Sequence, residues 1–512
     1  MGNIIFLLGT GPVGEDVLHK EPIVRYLKNR GHKIYIISRI NPNYFVTPPN
    51  RKLLNYFMGT EAYERYIRLF NYIIDNSEEF IFIYDIPELN RRYSPSEIER
   101  LENWLGVPFS YIASLDRRFY NKHKNSDRRE RINLMNFLAG LVELYRNYFI
   151  RKRIDILINT LEDDIFSVTA YYVAKKLGIT FVGIDPSRFP KKGIMLTKDF
   201  SEVIVWNKNT NSTFEDVLSL YDETTIVGKE TIERTKSLFK TSYMLKKLKQ
   251  LWGYSMLYRS IIKAFPYEQN ILEPPLKSIP KTALKILRYL MVRKIVQDPD
   301  LNKNYFLFPL HYLDDAQITF REPFIDQFEL IRHISRSLPQ GYYLYVKPHP
   351  HYMGTDVSLR ELWKISKLRN VKVINPLIPP IRLIKYAKGV ITINSTTGFE
   401  ALIFGKPVIT FGHDFYCQED IAYVVRDLNK LPEYIMLAIT KGQKNPDLVR
   451  DFVRKVYLNT IWIDSISLSE IFPVFALSDM DGKRVGKVLE KILNVDGLKE
   501  VCNDVCPSQF KN

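Results

Sequence analysis

The sequence predicts an α/β fold built from two doubly wound domains. Short, almost continuously apolar segments alternate with helical patterns, which is typical of parallel sheets covered by helices on both faces. The alternation occurs twice, before residue 210 and again after residue 304. A chain of 512 residues, 46% of them apolar, is long and apolar enough for two or three globular domains.

The first domain is predicted over residues 1–300. Its six candidate strands are 3–8, 33–38, 80–84, 155–159, 179–184 and 202–206. Pro22 is expected to open the first helix, because proline is favoured at the first helical position, and Gly31 is expected to end it. Residues 231–300 contain 14 Lys and Arg against 5 Asp and Glu and show no strand pattern, so we predict a basic helical segment there.

The second domain is predicted over residues 301–440, where the alternation restarts. Its candidate strands are 305–310, 342–347, 371–375, 389–394 and 407–412, and its candidate helices are 323–338, 357–368, 379–387 and 397–404. The remaining residues, 441–512, are predicted to be helical. Two such domains in tandem are expected to face each other across a cleft, with ligands bound outside the carboxyl ends of the strands.

Charge and cysteine content limit the classes of function. The net charge of +16 favours an anionic partner, such as a phosphorylated ligand, an acidic membrane surface or nucleic acid. No groove-reading or single-strand-binding module is visible, so a specific nucleic-acid partner is not expected. Three cysteines exclude a disulfide framework, and Cys502 and Cys506 lack the second ligand pair of a metal site. No long apolar run and no signal peptide are evident, which predicts a cytoplasmic protein.

The stretch GTGPVG, residues 9–14, matches the G-x-G-x-x-G motif of dinucleotide-binding folds. In those folds the helix begins at the second glycine, whereas here it is predicted to begin at Pro22. A carboxylate usually follows the second strand, but Arg39 stands there, and an NADP site that uses this arginine stays open. The favoured interpretation is a glycine loop at a strand end, with Gly9 and Gly11 facing the cleft.

Three polar clusters follow candidate strands of the second domain. They are HYLDDAQI, KPHPH and NSTTGFEALIFGKPVITFGHDFY, which begin at residues 311, 347 and 394. They contain four of the eight histidines, His311, His349, His351 and His413. Catalytic and binding groups belong at the carboxyl ends of strands in doubly wound folds, so these clusters are the candidate site.

The third cluster has the residues of a phosphate site at a helix N-terminus. Ser395, Thr396 and Thr397 can donate hydrogen bonds to phosphate oxygens, and Gly398 allows a phosphate to approach the backbone closely. Glu400 is placed to accept a hydrogen bond from a ribose hydroxyl. An ordinary helix cap with an acidic first turn explains the same residues, so this cluster alone does not decide the function.

The other two clusters carry groups suited to transfer chemistry. Lys347 ends a strand, and His349 in the rigid turn after it can bind a phosphate and help it to leave. Asp314 and Asp315 are candidates for a nucleophile on an anomeric carbon or for a general base. A surface turn and a helix cap are the plain alternatives. No spacing of His, Asp and Glu matches a usual metal site, so neither a metal nor another cofactor is expected.

Taken together, KPHP, STTGFEAL, GKPV and FGHDFY resemble the capsular polysaccharide biosynthesis family, whose best-described members are Kdo transferases that use CMP-Kdo. HYLDDAQI is similar to the QVEDDASI stretch of bacterial members, with His311 in place of the glutamine. The resemblance covers residues 304–416. It implies a metal-independent glycosyltransferase of the GT-B type, for which the nucleotide sugar is a substrate. A different CMP-linked acidic sugar fits as well as Kdo.

The resemblance also implies roles for individual residues. Asp315 takes the place of the catalytic aspartate, proposed in the family to be a nucleophile, and His349 takes the place of the HP-motif histidine. Ser395 and Thr396 match the hydroxyl pair that holds the nucleotide phosphate. His311 and His413 are then neighbours of the donor site, and Asp314 lies beside the catalytic position. The choice between a retaining and an inverting mechanism stays open.

The first domain is expected to bind a glycan or lipid-linked acceptor. Gly9 and Gly11 form one candidate acceptor loop. Glu162 and Asp163, with Asp164, follow a strand and are candidate acceptor contacts, although a helix-opening acidic cluster explains them too. Arg188 suits an anionic group of the acceptor or donor.

The basic segment 231–300 interleaves aromatic residues with its lysines. They are Trp252, Tyr254, Tyr258 and Phe265. Such a segment suits an anionic membrane surface, so we predict peripheral association with the inner face of the cell membrane, with a solvated helix pair as the alternative. Two other functions stay open, a polyol-phosphate transferase of the teichoic-acid type and a nucleotide-sugar-binding protein without turnover.

Overall fold

The computed structural model describes most of the two predicted domains. The described residues are 2–8, 17–39, 60–116, 128–159, 164–198, 202–207, 213–221, 259, 287–312, 318, 321–322, 325–349, 357–464, 466–467 and 475–494. Helices and strands are numbered below in chain order. Most of the predicted basic segment, residues 231–286 apart from Arg259, lies outside the described part of the chain.

The first domain is a sheet flanked by helices. Its strands are β1 Asn3–Leu8, β2 Lys33–Ser38, β3 Glu79–Phe82, β4 Ile156–Asn159, β5 Thr180–Pro186, β6 Gly193–Lys198 and β7 Glu202–Val203, joined by β14 Thr460–Trp462 from the end of the chain. Its helices are α1 Val17–Asn29, α2 Thr60–Asn76, α3 Pro87–Asn90, α4 Pro95–Leu105, α5 Phe109–Leu115, α6 Arg128–Lys152, α7 Ile165–Lys176 and α8 Phe214–Leu218. The strand order is β14-β6-β5-β4-β1-β2-β3, and β7 pairs with β6.

The second domain is a parallel sheet. Its strands are β8 Asn304–Pro309, β9 Tyr342–Lys347, β10 Val371–Val373, β11 Gly389–Thr392, β12 Val408–Thr410 and β13 Tyr423–Val424. Its helices are α9 Gln327–Ser337, α10 Leu359–Ser366, α11 Pro380–Tyr386, α12 Thr396–Ile403, α13 Leu431–Lys441 and α14 Pro446–Leu458. The strand order is β10-β9-β8-β11-β12-β13.

The two sheets share one topology. In each, the chain winds outward over three strands and then returns to the other side of the first strand, so the winding direction reverses between β1 and β4 and between β8 and β11. This is the strand order of doubly wound nucleotide-binding folds, in which ligands bind at the reversal. The predicted fold class, two Rossmann-like α/β domains, is confirmed.

The central strand β8 shows why these segments form buried strands. Alternate residues point to opposite faces, and each face has its own core. Tyr305 and Leu307 belong to one apolar cluster, whereas Phe306 and Phe308 belong to another, and all four are fully buried. An unbroken apolar run is therefore required where helices cover both faces.

Three sequence predictions about elements were wrong. Helix α1 begins at Val17 and contains Pro22, so this helix starts earlier than expected. Strand β6 was not predicted, and the candidate strand at 202–206 shortens to β7, which pairs antiparallel with β6. The final segment is not purely helical, because β14 and the small hairpin of β15 Ile466–Ser467 and β16 Phe475–Ala476 separate α14 from α15 Asp479–Asn494.

The end of the chain packs against the first domain. Strand β14 pairs antiparallel with β6. Helix α15 lies on α1, and its residues Gly482 and Gly486 leave room for that contact, since a Cβ at these positions would lie 2.2 Å from the Pro22 Cβ and 2.3 Å from the Tyr26 Cδ1. The two domains are thus connected by the chain twice.

The carboxyl ends of the two sheets meet. Phe189, in the loop after β5, packs against Phe399 of α12 with ring centroids 5.4 Å apart. Arg188 places a guanidinium nitrogen 4.0 Å from an Asp414 carboxylate oxygen in the loop after β12. Within the described residues, no helix is long and apolar enough to cross a membrane.

Candidate functional site

The second sheet brings four predicted residues to one edge. His311 follows β8, His349 follows β9, Ser395 follows β11 and His413 follows β12. These strands are parallel neighbours in the order β9-β8-β11-β12, so their carboxyl ends share the edge where the winding direction reverses. The rings of His349 and Tyr312 are in edge-to-face contact, 5.4 Å between centroids. The site therefore lies where doubly wound sheets bind nucleotides.

The N-terminus of α12 presents hydroxyl groups at this edge. Ser395 is the N-cap, and its Oγ accepts a hydrogen bond from the Thr397 N–H at 3.3 Å. Ser395 and Thr396 are half-buried, whereas Thr397 is buried. The Tyr416 hydroxyl donates to the Ser395 carbonyl at 2.6 Å and fixes the cap. Two half-buried residues with hydroxyl groups at the positive end of a helix suit an anionic ligand.

Gly398 has a packing role that the sequence did not reveal. A Cβ at this position would lie 2.7 Å from the Tyr416 hydroxyl oxygen and 2.8 Å from the Thr392 Cγ2. The missing side chain therefore makes room for the tyrosine that holds the helix cap. We expected this glycine to allow close approach of a phosphate, but the described contacts explain it without a ligand.

Lys347 and Glu400 are buried beneath the site rather than exposed in it. They are 4% and 2% exposed, and the Lys347 Nζ donates to the Pro376 carbonyl at 3.1 Å. Burial lowers the pKa of Lys347 to about 8, against the opposing effect of Glu400. Burial likewise raises the pKa of Glu400 to about 8, against the opposing effect of Lys347. The predicted contacts of these two residues with phosphate and ribose are wrong, because both side chains are enclosed.

The raised pKa of Glu400 predicts a pH-dependent stability. A group with a raised pKa holds its proton more tightly in the folded state, so its stabilisation is complete below about pH 4.5 and is lost as pH rises through about 8. Between about pH 5 and about pH 7, the free energy of unfolding of wild type should fall relative to Glu400→Gln, by at most about 1.4 kcal/mol per pH unit. Urea unfolding at several pH values measures this. Glu419→Gln, at an exposed glutamate, is the control, and parallel pH profiles for wild type and Glu400→Gln would contradict the prediction.

A buried charge network joins the two domains beside the site. Asp414 is almost fully enclosed and accepts hydrogen bonds from the Arg321 guanidinium and from the Phe415 N–H, the latter at 2.9 Å. Burial alone would lower the pKa of Arg321, but Asp414 and Asp185 raise it above its ordinary value. Arg188, predicted to contact a ligand, faces Asp414 instead. Sequence reasoning missed Arg321 and Asp414 as site residues, although Asp414 lies within the FGHDFY motif.

Asn394 connects this network to a second acidic group. Its Oδ1 accepts from the Asp414 N–H at 3.1 Å, and its Nδ2 donates to the Glu322 carboxylate at 3.4 Å. The same Glu322 oxygen lies 2.7 Å from the His413 Nδ1. Glu322 was not predicted either, since it lies in no recognisable motif.

Gly412 makes room for the Asn394 side chain. A Cβ at residue 412 would lie 1.8 Å from the Asn394 Oδ1 and 2.7 Å from the Ile393 carbonyl oxygen. Gly412→Ala should therefore displace Asn394 and destabilise the protein by about 1–3 kcal/mol. Urea unfolding measures the loss. The control is Gly405→Asn, at a left-handed position (φ 68°) with open space around it, which should change stability little. Equal stability of the two variants would contradict this account.

Several predicted residues lie outside the described part of the chain. They are Asp314, Asp315, His351, Gly9, Gly11, Glu162, Asp163, Cys502 and Cys506. Asp164 is described: it is the buried N-cap of α7 and accepts from the Phe166 and Ser167 N–H groups at 2.9 Å, so it opens a helix. His311 is buried, and its backbone pairs with the Gln327 side chain. Within the described residues, no group of three His, Cys, Asp or Glu is placed to hold a metal ion.

Known proteins resemble part of the chain in sequence. Residues 262–428 match the model of the family described as capsule polysaccharide biosynthesis protein. The capsule polysaccharide export protein KpsS of Escherichia coli is 30% identical over 132 residues, which are 24% of this chain and 34% of KpsS. Protein FixF of Sinorhizobium fredii is 27% identical over 167 residues, 32% of this chain and 38% of FixF. The chain thus spans less than two fifths of either curated relative.

Solved structures resemble the chain only distantly. KpsC of Thermosulfurimonas dismutans, a beta Kdo 2,7 transferase, is 15% identical with a TM-score of 0.28, covering 73% of this chain and 95% of that one. The UDP-GlcNAc 2-epimerase of Methanocaldococcus jannaschii is 13% identical, also with a TM-score of 0.28, covering 95% and 99%. The fold assignment therefore rests on the order of the two sheets. Residues 262–428, the part of the chain that is similar to the capsule polysaccharide biosynthesis family, include the α12 cap and the loop of His413.

Proposed function

We propose that the protein is a glycosyltransferase that moves a sugar from a nucleotide donor to a surface-polysaccharide or lipid-linked glycan. The observation that carries the proposal is the placement of Ser395, His349 and His413 on one sheet edge, at the reversal of winding direction. The family match covers this edge. A CMP-linked acidic sugar such as Kdo is the donor that the sequence motifs favour.

The second domain binds the donor in this proposal. The N-terminus of α12, with the Ser395 and Thr396 hydroxyls, holds the nucleotide phosphate, because helix N–H groups and hydroxyls donate to phosphate oxygens. Neutralisation of this phosphate makes it a better leaving group. His349, at the end of β9, contributes a further donor. Lys347 at the end of β9 and Glu400 in α12 are buried and interact electrostatically beneath this site.

The transfer breaks the bond between the anomeric carbon and the phosphate oxygen, which leaves with the electron pair. An acceptor hydroxyl oxygen forms the new bond to the anomeric carbon and loses its proton to a base. Asp315 is the proposed nucleophile of a retaining route, in which it bonds to the anomeric carbon first and the acceptor then displaces it. The first domain, whose strand ends face this edge, is the proposed acceptor side.

Nucleotide release from CMP-, UDP- and GDP-sugars tests the proposal. Wild type should release nucleotide from one of these donors, measured by chromatography, and acceptor glycan should accelerate the release. The double variant Ser395→Gly/Thr396→Val removes both hydroxyls while glycine preserves the cap, and it should raise KM about 10-fold or more. Ser366→Ala, at a half-buried serine of α10, is the matched control. Release from none of the donors, or an unchanged KM in the double variant, would refute the proposal.

A further inference from the structure

Glu322 and His413 form a pair that the sequence motifs do not assign. The His413 Nδ1 lies 2.7 Å from the Glu322 Oε1, and the two side chains are 60% and 8% exposed, respectively. An ionised carboxylate only accepts hydrogen bonds, so Nδ1 carries a proton in this contact. The buried carboxylate thus orients an exposed ring, and Nε2 is the nitrogen available to a ligand.

The pair lies directly beside the proposed phosphate site. Asn394 donates to the same Glu322 oxygen at 3.4 Å, and the next residue in the chain is Ser395, the cap of α12. The backbone N–H of Asp414, the residue after His413, donates to Asn394 as well. One asparagine therefore holds together the helix cap, the carboxylate and the histidine loop.

The charges around His413 come from three elements. Glu322 precedes α9 and contacts the ring itself. Arg426, after β13, donates to the Gly412 carbonyl at 3.2 Å, so a cation contacts the loop that carries His413. Arg321 is engaged by Asp414.

We propose that His413 binds the nucleotide phosphate as an imidazolium through its Nε2–H, and that Glu322 positions the ring and stabilises its charge. This inference rests on the proposed function, because it assumes that the phosphate lies at the cap of α12. Glu322 accepts the hydrogen bond from Nδ1–H, so a hydrogen bond from Nε2 to the phosphate requires a proton on both ring nitrogens, and nucleotide binding should take up a proton where the unbound ring carries only one. Glu322 acts only through His413 and is a positioning residue.

Isothermal titration calorimetry tests the inference. The probe is whichever of CMP, CDP, UDP and GDP stabilises wild type most, titrated in two buffers with different ionisation enthalpies, which gives the number of protons taken up. The variants are His413→Gln and Glu322→Gln. His333→Gln and Glu329→Gln, at exposed residues of α9, are the matched controls. The titration of the nucleotide's own phosphate cancels in the comparison with wild type.

His413→Gln should weaken binding about 10-fold and remove a few tenths of a proton of uptake. Glu322→Gln should weaken nucleotide binding about 3-fold. As pH rises, the affinity of this variant should begin to fall at a lower pH than the affinity of wild type. Glutamine has nearly the same shape as glutamate, and the circular dichroism of each variant should match that of wild type. Weaker binding then reflects the lost contact and not a misfolded protein. Wild-type affinity in His413→Gln, or weaker binding with unchanged proton uptake, overturns the inference and leaves the proposed function standing. If no nucleotide binds wild type, both are refuted.

Discussion

Arg321→Met is expected to destabilise the second domain by about 3–5 kcal/mol, because it leaves the Asp414 carboxylate buried without its main partner. Asp414 is enclosed, and its Oδ2 accepts no hydrogen bond from the part of the chain that the structure describes. Arg188 is too distant, at 4.0 Å, to replace the lost hydrogen bond. Urea unfolding followed by circular dichroism measures the loss.

A double variant separates this explanation from simple loss of packing. Arg321→Met/Asp414→Asn removes both charges and should be more stable than Arg321→Met alone, because an unpaired buried charge is what costs stability. Arg332→Met, in a partly exposed ion-pair network on α9, is the control and should change stability little. Wild-type stability of Arg321→Met, or a double variant less stable than the single, would contradict the assigned network.

Asp315→Asn is expected to lower turnover about 1000-fold or more while nucleotide affinity stays within about 3-fold of wild type. The amide has nearly the same shape as the carboxylate but can neither attack an anomeric carbon nor accept a proton. The phosphate is expected at the cap of α12, so binding should not depend on this residue. Steady-state rates and nucleotide Kd values measure the two quantities.

The turnover of Asp314→Asn, compared with that of Asp315→Asn, shows which of the two aspartates is required for the reaction. Asp420→Asn, at an exposed position, is the control. A nearly inactive Asp314→Asn beside an active Asp315→Asn would transfer the role to Asp314. Full activity of both variants would remove the aspartate pair from the mechanism. If wild type binds a nucleotide but never releases one from a donor, a binding protein without turnover replaces the transferase.

The second sheet was predictable because burial on both faces demands continuous apolar strands. The residues from Tyr305 to Phe308 pack alternately into the two apolar cores on either face of the sheet. Their sequence matches neither a helix pattern nor a turn pattern. Strand β6 was missed because it starts at a glycine and pairs antiparallel with its neighbours β5 and β14, unlike the parallel strands of the rest of the sheet. The start of α1 was misplaced because Pro22 is a favourable first residue, yet here it lies inside the helix and packs against Gly482.

Within the site, local motifs predicted positions but not contacts. The Ser395 cap and the His413 loop followed from residue type and from their place after strands. Their partners lie far away in sequence: Glu322 lies 91 residues from His413, and Arg321 lies 93 residues from Asp414. Such pairs depend on which strand ends the topology brings together, which residue patterns do not encode.

A thermal-unfolding screen of wild type with CMP, CDP, UDP, GDP and NADP(H) tests most directly whether the cap of α12 binds the phosphate of a donor nucleotide. A ligand at about 100 times its Kd should stabilise the folded state by about 2.7 kcal/mol and raise Tm measurably. One of the first four nucleotides should raise Tm, and Ser395→Gly/Thr396→Val should lose this shift. Stabilisation by NADP(H) alone, or by none of these nucleotides, would contradict binding of the phosphate at this cap.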